Sequence, residues 1–400
     1  MSRAALLAAV LLAGCGKPAA LTVAINAGGE GDALKQGALE WGKLRGLPVE
    51  VVELPYANLF EKELIDLTSR TGAFDLIMID DPWFPRISAD DNLRPLPWTP
   101  DPDFLASCLD VSRNPYKTGR FYALPFVGNS HLFFYRKDLF AKHGLGEPAT
   151  WQDVLTAGKK IGEAERMYGY VLRASAGNGV VADYMSLYWA FGAEMFGEGG
   201  EPRLDSPESI AALKFMLELG KLSPPGYAAF NADEVSAHLL QATAVMSINW
   251  PSWISAMDDP SKSKVADKIE FGQVPSAVKP GRAELGAWLL AVPTASRNAD
   301  RAFEFMQWVT SAERMKQAAF RGNPPTRRSV FLDEELRRKY RGFPAQLKSL
   351  ESARPRPRTP LWNEIENVFG VYLSQANAGA IEAGEAMHRA QKEVEAILKR

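Results

Sequence analysis

The chain has little cysteine, little histidine and no large excess of either charge, and each shortage excludes a class of protein. Only two of its 400 residues are cysteines, Cys15 and Cys108, so a framework of disulfides does not stabilise the fold. The four histidines are scattered without zinc-site spacing, and we expect no metal and no cofactor. A net charge of −2 without a basic stripe argues against nucleic acid as a partner.

The composition is otherwise that of a globular protein with a large core. Apolar residues make up 46% of the chain and charged residues 24%. The length is enough for two domains of roughly 100–200 residues each. There are ten tryptophans. Aromatic side chains exposed on loops would suit a ligand with flat apolar faces.

The first fifteen residues have the pattern of a secretory signal. An apolar run extends from Ala4 to Leu12 and ends in small residues. A membrane span needs about 20 apolar residues, so this run is too short to be one. The sequence Leu12-Ala13-Gly14-Cys15 resembles the bacterial lipobox, in which the cysteine is acylated. We therefore expect residues 1–15 to be a lipoprotein signal peptide, and the protein to be exported and anchored to a membrane by lipid on Cys15.

The first half of the mature chain alternates strand and helix patterns. Strands are predicted at Leu21–Ile25, Val49–Leu54 and Phe74–Ile79, and helices at Gly31–Leu44 and Leu59–Thr68. The third strand is nearly all apolar, as a strand covered on both faces should be. This alternation predicts an α/β fold with a largely parallel sheet.

The second half contains helix caps and a proline-rich connector. Thr150 is predicted to cap a helix, and Ser206 to cap another that ends at Gly220. Ala244–Ile248 is a predicted strand. Arg354–Arg358 alternates arginine with proline, which predicts a stiff, solvent-exposed connector.

Polar and aromatic residues follow several predicted strands. In open α/β sheets ligands bind beyond the carboxyl ends of the strands. Carboxylates and amides form paired hydrogen bonds with neighbouring hydroxyls, and indole rings stack on apolar C–H faces. These strand ends therefore suit a sugar or polyol. The candidates are Asn26, Glu30, Asp80, Asp81, Trp83, Asn129, Trp250 and Trp253.

Other interpretations of the same residues remain open. Glu30, Asp80 and Asp81 could serve an exported carbohydrate hydrolase, although adjacent carboxylates at a strand end point to opposite sides. Asp80 or Asp81 could instead form an anionic pocket for an amine or peptide. His131 lies in an apolar strand and is interpreted as a core residue rather than a metal ligand.

Several segments, in order, resemble the extracellular solute-binding proteins that serve ABC importers of sugars and polyols. The resemblance spans essentially the whole mature chain. Its motifs are Gly119–Asp138 continuing through Leu139–Trp151, His238–Trp250, Gly286-Ala287-Trp288 through Phe305–Trp308, Asn323–Arg327 and Pro360-Leu361-Trp362.

This resemblance implies an α/β fold of the maltose-binding-protein-like type II class, in which two lobes joined by three hinge crossings enclose the ligand. Lobe 1 is expected at 20–127 plus 287–323, and lobe 2 at 128–286 plus 324–400. The crossings then fall near Val127-Gly128, Gly286 and Pro324. Glycine absorbs large backbone rotations and so suits a hinge.

The resemblance also implies a function and further site residues. The protein is expected to be a monomer that carries a sugar or polyol to membrane permease subunits without chemical change. Asn129 and Asp80 match polar contacts of the family. Trp250 and Trp362 match stacking aromatics, and Gly286 matches a backbone contact. Asn26 and Glu30 occupy the first βα turn; Trp288 and Arg327 complete the set, with Arg327 expected in either a ligand contact or an interlobe ion pair.

Overall fold

The structure is a computed structural model that describes residues 20–400. The expected signal peptide at 1–15, including Cys15, lies outside the described residues. Within them, no helix has both the length and the apolar character needed to cross a membrane.

Helices and strands account for most of the described chain. The strands are β1 Leu21–Asn26, β2 Val49–Leu54, β3 Leu76–Asp80, β4 Arg113–Asn114, β5 Arg120–Phe121, β6 Ala123–Val127, β7 Leu132–Arg136, β8 Met246–Asn249, β9 Ile269–Gly272 and β10 Trp288–Ala291. The helices are α1 Gly29–Arg45, α2 Tyr56–Ser69, α3 Phe84–Ile87, α4 Ala106–Asp110, α5 Lys137–Lys142, α6 Trp151–Glu165, α7 Asn178–Ala190, α8 Pro207–Gly220, α9 Ala232–Leu240, α10 Ile254–Asp258, α11 Ala299–Val309, α12 Ala312–Ala319, α13 Arg328–Phe331, α14 Glu334–Lys339, α15 Phe343–Ser352, α16 Trp362–Asn377 and α17 Ala383–Leu398.

The main sheet has five strands in the order β2-β1-β3-β10-β6. β1 pairs in parallel with β2 and β3, but β10 runs antiparallel to both β3 and β6. The prediction of a largely parallel sheet is therefore only partly correct. β10 enters the sheet beside the carboxyl end of β3, with Trp288 opposite Asp80, and must run back along it.

A second, smaller sheet has the order β8-β7-β9 and is antiparallel throughout. β7 alternates its side chains between two cores: Phe133 and Tyr135 face one, and Leu132 and Phe134 face the other. Helix α6 packs nearby and begins with the predicted cap, in which Thr150 and Asp153 form a capping box.

The buried apolar residues divide into two lobes. One core surrounds the five-stranded sheet and takes residues from 21–127, 285–319 and 330–350. Two further cores lie on either side of the small sheet and take residues from 132–283 and 362–397. The chain therefore passes between the lobes around 128–131, 284–287 and 353–361.

The third crossing is not where the sequence places it. Val330, Phe331, Phe343 and Leu350 pack in the first core, so helices α13 to α15 belong with lobe 1 rather than lobe 2. The Pro324 carbonyl accepts a hydrogen bond from the Gly128 N–H beside the first crossing, without carrying the chain into the second lobe. The arginine-proline segment is the true third crossing.

Candidate functional site

A cavity of about 700 Å³ lies between the lobes. Residues from both lobes line it. Seven of them are among the residues singled out in the sequence: Glu30, Asp80, Asn129, Trp250, Trp253, Gly286 and Trp288. The carboxyl ends of β1, β3 and β6 therefore lie at one wall of the cavity and the carboxyl end of β8 at another, whereas Trp288 is at the amino end of β10.

Glu30 of the first lobe is hydrogen-bonded to Asn129, which lies in the first crossing. Glu30 is in the first turn of α1, and its Oε1 accepts a hydrogen bond of 2.7 Å from Asn129 Nδ2. Burial raises the pKa of Glu30 to about 7, and the negative charge of Asp80 adds to this effect. Asn129 Oδ1 is buried without a hydrogen-bond partner among the described residues, so one acceptor of this cavity-lining amide is unsatisfied.

Arg356 is the centre of a buried charge cluster behind Asp80. Its Nε lies 2.6 Å from Glu284 Oε1, and its Nη1 lies 2.9 Å from Glu366 Oε1. Its Nη2 lies 3.7 Å from Asp80 Oδ2, which also accepts a 2.7 Å hydrogen bond from the Tyr56 hydroxyl. Although burial acts against ionisation, these carboxyls raise the pKa of Arg356 well above its usual value. Asp80 is thus fixed in position and electrically compensated.

The aromatic side chains of the cavity are held by close packing. The planes of the Trp250 indole and the His131 ring are tilted by 35°, and the ring centroids lie 3.9 Å apart. A Cβ on Gly286 would come within 2.8 Å of the Trp250 ring, so only glycine allows this approach. Trp288 packs edge-on against Tyr56. The cavity therefore combines rigid indoles with fixed hydrogen-bonding groups.

His131 is a core residue, as the sequence predicts, but its ring nitrogens have no hydrogen-bond partner among the described residues. Burial lowers its pKa well below the usual value, which keeps the ring neutral. Within residues 20–400 no group of three or more His, Cys, Asp or Glu side chains is placed to hold a metal ion.

Five of the singled-out residues do not line the cavity. Trp362 is completely buried in the second lobe's core at the start of α16, so it cannot act as the expected stacking aromatic. Trp83 is buried beneath the site, where it packs against Tyr56, Phe60 and Trp288. Asn26 is buried at the end of β1.

Asp81 and Arg327 have structural partners instead. Asp81 Oδ1 lies 2.9 Å from Arg358 Nη1, and Asp81 Oδ2 accepts a hydrogen bond from the Ala287 N–H. Arg327 lies 2.6 Å from Asp101 and stacks over the Phe104 ring. Because these partners of Arg327 belong to the same lobe, it forms no interlobe ion pair among the described residues, and it does not line the cavity.

The sequence analysis missed several polar residues of the cavity. Tyr56 follows β2 by two residues, so the strand-end rule would have found it. The others lie in loops or near the starts of helices, where no local pattern marks them as cavity residues. The missed polar residues are Tyr56, Arg173, Ser175, Asn178, Asn231, Asp233, Ser252, Ser255, Lys262 and Arg356.

Arg356 was missed for a different reason. Its segment, Arg354–Arg358, was interpreted as a solvent-exposed connector, but Arg356 is only 2% exposed. The backbone of Arg354 forms hydrogen bonds with the backbone of residues 283 and 285. The side chains of Arg356 and Arg358 pair with carboxylates of both lobes. A run of arginines indicates solvent only when no buried acids are available to pair with it.

Comparisons with known proteins agree with this geometry. Residues 27–316 match the family model described as bacterial extracellular solute-binding protein. A probable amino-acid ABC transporter periplasmic-binding protein of Sinorhizobium fredii is 27% identical over 390 residues, which cover 92% of this chain and 87% of that protein. A mannitol-binding protein of Pseudomonas aeruginosa is 29% identical over 360 residues, covering 84% and 83% respectively.

Solved structures of solute-binding proteins also match this chain. The crystal structure of an ABC transporter solute-binding protein from Agrobacterium radiobacter K84 in complex with ribitol matches with a TM-score of 0.86. The two are 26% identical, and the match covers 94% of this chain and 97% of the other. The family match extends over more than half of the chain. The chain therefore belongs to the bacterial extracellular solute-binding proteins and is not an enzyme.

Proposed function

We propose that this protein captures a sugar or sugar alcohol in the cavity between its lobes and delivers it unchanged to the permease of an ABC importer. The observation that carries the proposal is the composition of the cavity wall. Indoles of Trp250, Trp253 and Trp288 stand beside the carboxyl of Glu30 and the guanidinium of Arg173. Such a wall offers stacking surfaces for C–H faces and paired hydrogen bonds for hydroxyls.

The contribution of both lobes supports a capture mechanism. Glu30, Tyr56 and Trp288 belong to the first lobe, and Arg173 and Trp250 to the second. A solute that contacts both walls binds the closed arrangement more tightly than an open one. It therefore shifts the equilibrium toward closure without any bond being made or broken.

The proposed solute is a small polyhydroxy compound. The cavity volume lies within the range of about 300–1,000 Å³ that small-molecule sites occupy. Relatives bind mannitol and ribitol, which are linear sugar alcohols. An amine is a poorer candidate because Arg356 already compensates Asp80.

The proposal places the protein outside the cytoplasmic membrane, as a monomer anchored through lipid on Cys15. The lipobox-like sequence Leu12–Cys15 supports the anchor. Metabolic labelling with a fatty-acid analogue should label the wild-type protein and not Cys15→Ser. If both variants remain unlabelled, the anchor is wrong while the solute site is unaffected.

Isothermal titration calorimetry against a panel of solutes tests the function. The panel contains D-mannitol, ribitol, D-glucose, maltose and maltotriose, with L-amino acids and dipeptides as a comparison group. We expect binding of at least one polyol or sugar with a Kd of about 1 µM or lower, and recovery of that solute unaltered. Heat from the amino acids alone, or turnover of the bound solute, would contradict the proposal.

A further inference from the structure

Arg173 is a buried cation without an ion pair among the described residues. The residue is 8% exposed, and it lies on the cavity wall. Its Nη1 is buried and has no hydrogen-bond partner within residues 20–400. Buried charges in proteins are normally paired, as the neighbouring Arg356 is. The free Nη1 therefore marks a place where a bound solute supplies the missing acceptors.

Two neutral amides hold the Arg173 guanidinium in place. Nε donates to Asn231 Oδ1 at 2.7 Å, and Nη2 donates to Asn178 Oδ1 at 3.3 Å. Asn231 caps α9, and its Oδ1 also accepts from the Ala232 N–H. Asn178 begins α7, and its Nδ2 donates to Glu366 at 3.2 Å. The ends of two helices thus fix the guanidinium plane, and Nη1 is its one nitrogen without a hydrogen-bond partner among the described residues.

We propose that Arg173 is a specificity-determining residue whose Nη1 binds two neighbouring oxygens of the solute, as in the vicinal diol of a neutral sugar or polyol. Asn231 and Asn178 are then positioning residues, which act through Arg173. This inference rests on the proposed function and adds to it the chemical feature of the solute that the second lobe recognises.

The charges around Arg173 favour a neutral diol over the carboxylate of a sugar acid. Glu30 and Asp183 are close enough for the Arg173 charge to lower their pKa values, although burial outweighs it and raises both to about 7. Above that pH both acids are ionised and provide the countercharge. Asp233 on the cavity wall adds a further negative charge. Two other charged groups of the wall have partners of opposite charge: Asp80 lies 3.7 Å from Arg356, and Lys262 lies 3.6 Å from Asp259.

Calorimetry with Arg173→Met at about pH 8 tests the role of the guanidinium. With D-mannitol or ribitol, or the tightest neutral solute of the panel, we expect the Kd to rise about 10- to 100-fold, as for loss of a hydrogen bond from a charged donor. Arg173→Lys should not restore wild-type affinity, because an ammonium cannot reproduce the planar fork. Lys214→Met removes an exposed positive charge of α8 that does not line the cavity, and it should change the Kd less than about twofold.

Asn231→Ser tests whether Asn231 positions the Arg173 guanidinium. Serine keeps a helix cap, so the melting temperature should stay near that of the wild type. Its shorter side chain loses the bond to Arg173 Nε, and we expect the Kd to rise about three- to tenfold. In the Arg173→Met background the same change should have no further effect, a coupling that a merely structural role would not produce.

The outcomes separate this inference from the proposed function. If the wild type binds no member of the panel, the function itself is wrong. If the wild type binds but Arg173→Met binds equally well, only the role of Arg173 is wrong. Tighter binding of D-mannonate than of D-mannitol at about pH 8 would overturn the preference for a neutral diol. If Arg173→Met does not fold, Arg173→Lys and the Asn231→Ser effect decide the point.

Discussion

At the scale of single residues, Arg356 determines much of the electrostatics between the lobes. Its three carboxyl partners come from different parts of the chain. Burial raises the pKa of Glu284 well above its usual range, while the charge of Arg356 acts to lower it. One guanidinium therefore stabilises acids that would otherwise be costly to bury. Because Arg356 also lies on the cavity wall, the same group links the hinge region to the site.

Replacing Arg356 with methionine should strongly destabilise the protein. The change leaves Asp80, Glu284 and Glu366 buried without their cation, which costs about 3–5 kcal/mol of the free energy of unfolding. Urea denaturation measures this directly. Arg337→Met removes an exposed arginine from α14 and should change stability by less than about 0.5 kcal/mol. An Arg356→Met protein as stable as this control would contradict the cluster's role.

Glu30 should make stability depend on pH. Its pKa is raised from 4.5 to about 7, so the folded state binds the proton more tightly than the unfolded state does. Its stabilising contribution is complete below the unfolded value and is lost as the pH rises through about 7. Between about pH 5 and pH 7 the wild type should lose roughly 2 kcal/mol more stability than Glu30→Gln.

The measurement is urea denaturation of the solute-free protein at both pH values. Glu163→Gln, at an exposed position of α6, serves as the control and should follow the wild-type pH profile. Asp81 and Asp183 titrate in all three proteins and cancel in the comparison. A Glu30→Gln profile indistinguishable from that of the wild type would show that this carboxyl is not protonated as we infer.

Individual residues show how far the sequence allows the cavity to be predicted. The carboxyl ends of several strands converge at the cavity, and this depends on the topology rather than on the neighbouring side chains. The residues that lie on the cavity for this reason are Glu30, Asp80, Asn129 and Trp250. Whether a side chain at such an end faces the cavity or the core depends on tertiary packing. Trp362 faces the core, and no local pattern distinguishes it from Trp250.

At the scale of elements, helices α7 and α16 approach each other through glycines. A Cβ on Gly370 of α16 would lie 2.5 Å from the Gly177 nitrogen, just before α7. This close approach places Glu366 of α16 within hydrogen-bond distance of Asn178. The packing of two helices thus connects the Arg356 cluster to the groups that hold Arg173.

Gly370→Ala should force these two helices apart. We expect a loss of about 1–3 kcal/mol of unfolding free energy, as for overpacking of a core, together with weaker solute binding. Gly384→Ala in neighbouring α17 is a matched control, since its Cβ would meet no atom within 4 Å. That variant should be unchanged or more stable by less than about 1 kcal/mol. Equal stability of the two variants would argue against the close packing.

Elements were predicted better where their signal is local. The capping box at Thr150 and the strand Val49–Leu54 have the predicted positions because cap chemistry and β-branched runs act over a few residues. The direction of β10 and the burial of Arg354–Arg358 were not predictable in this way. Both depend on partners far away in the chain, such as Asp80 and Glu284.

At the scale of the whole molecule, two lobes form one site. The crossings around 128–131, 284–287 and 353–361 bring Asn129, Gly286 and Arg356 to the same cavity. A hinge built from these residues would therefore contact a solute bound in that cavity. Solute binding and lobe closure should be a single coupled event, in which the solute contacts both lobes.

A crystal structure of the complex with the tightest-binding polyol tests this account most directly. We expect the solute between the lobes, with hydroxyls within hydrogen-bond distance of Glu30 or Asn129 on one side and of Arg173 Nη1 on the other, and with a C–H face against Trp250. A solute bound by one lobe alone, or at any surface away from this cavity, would contradict the account.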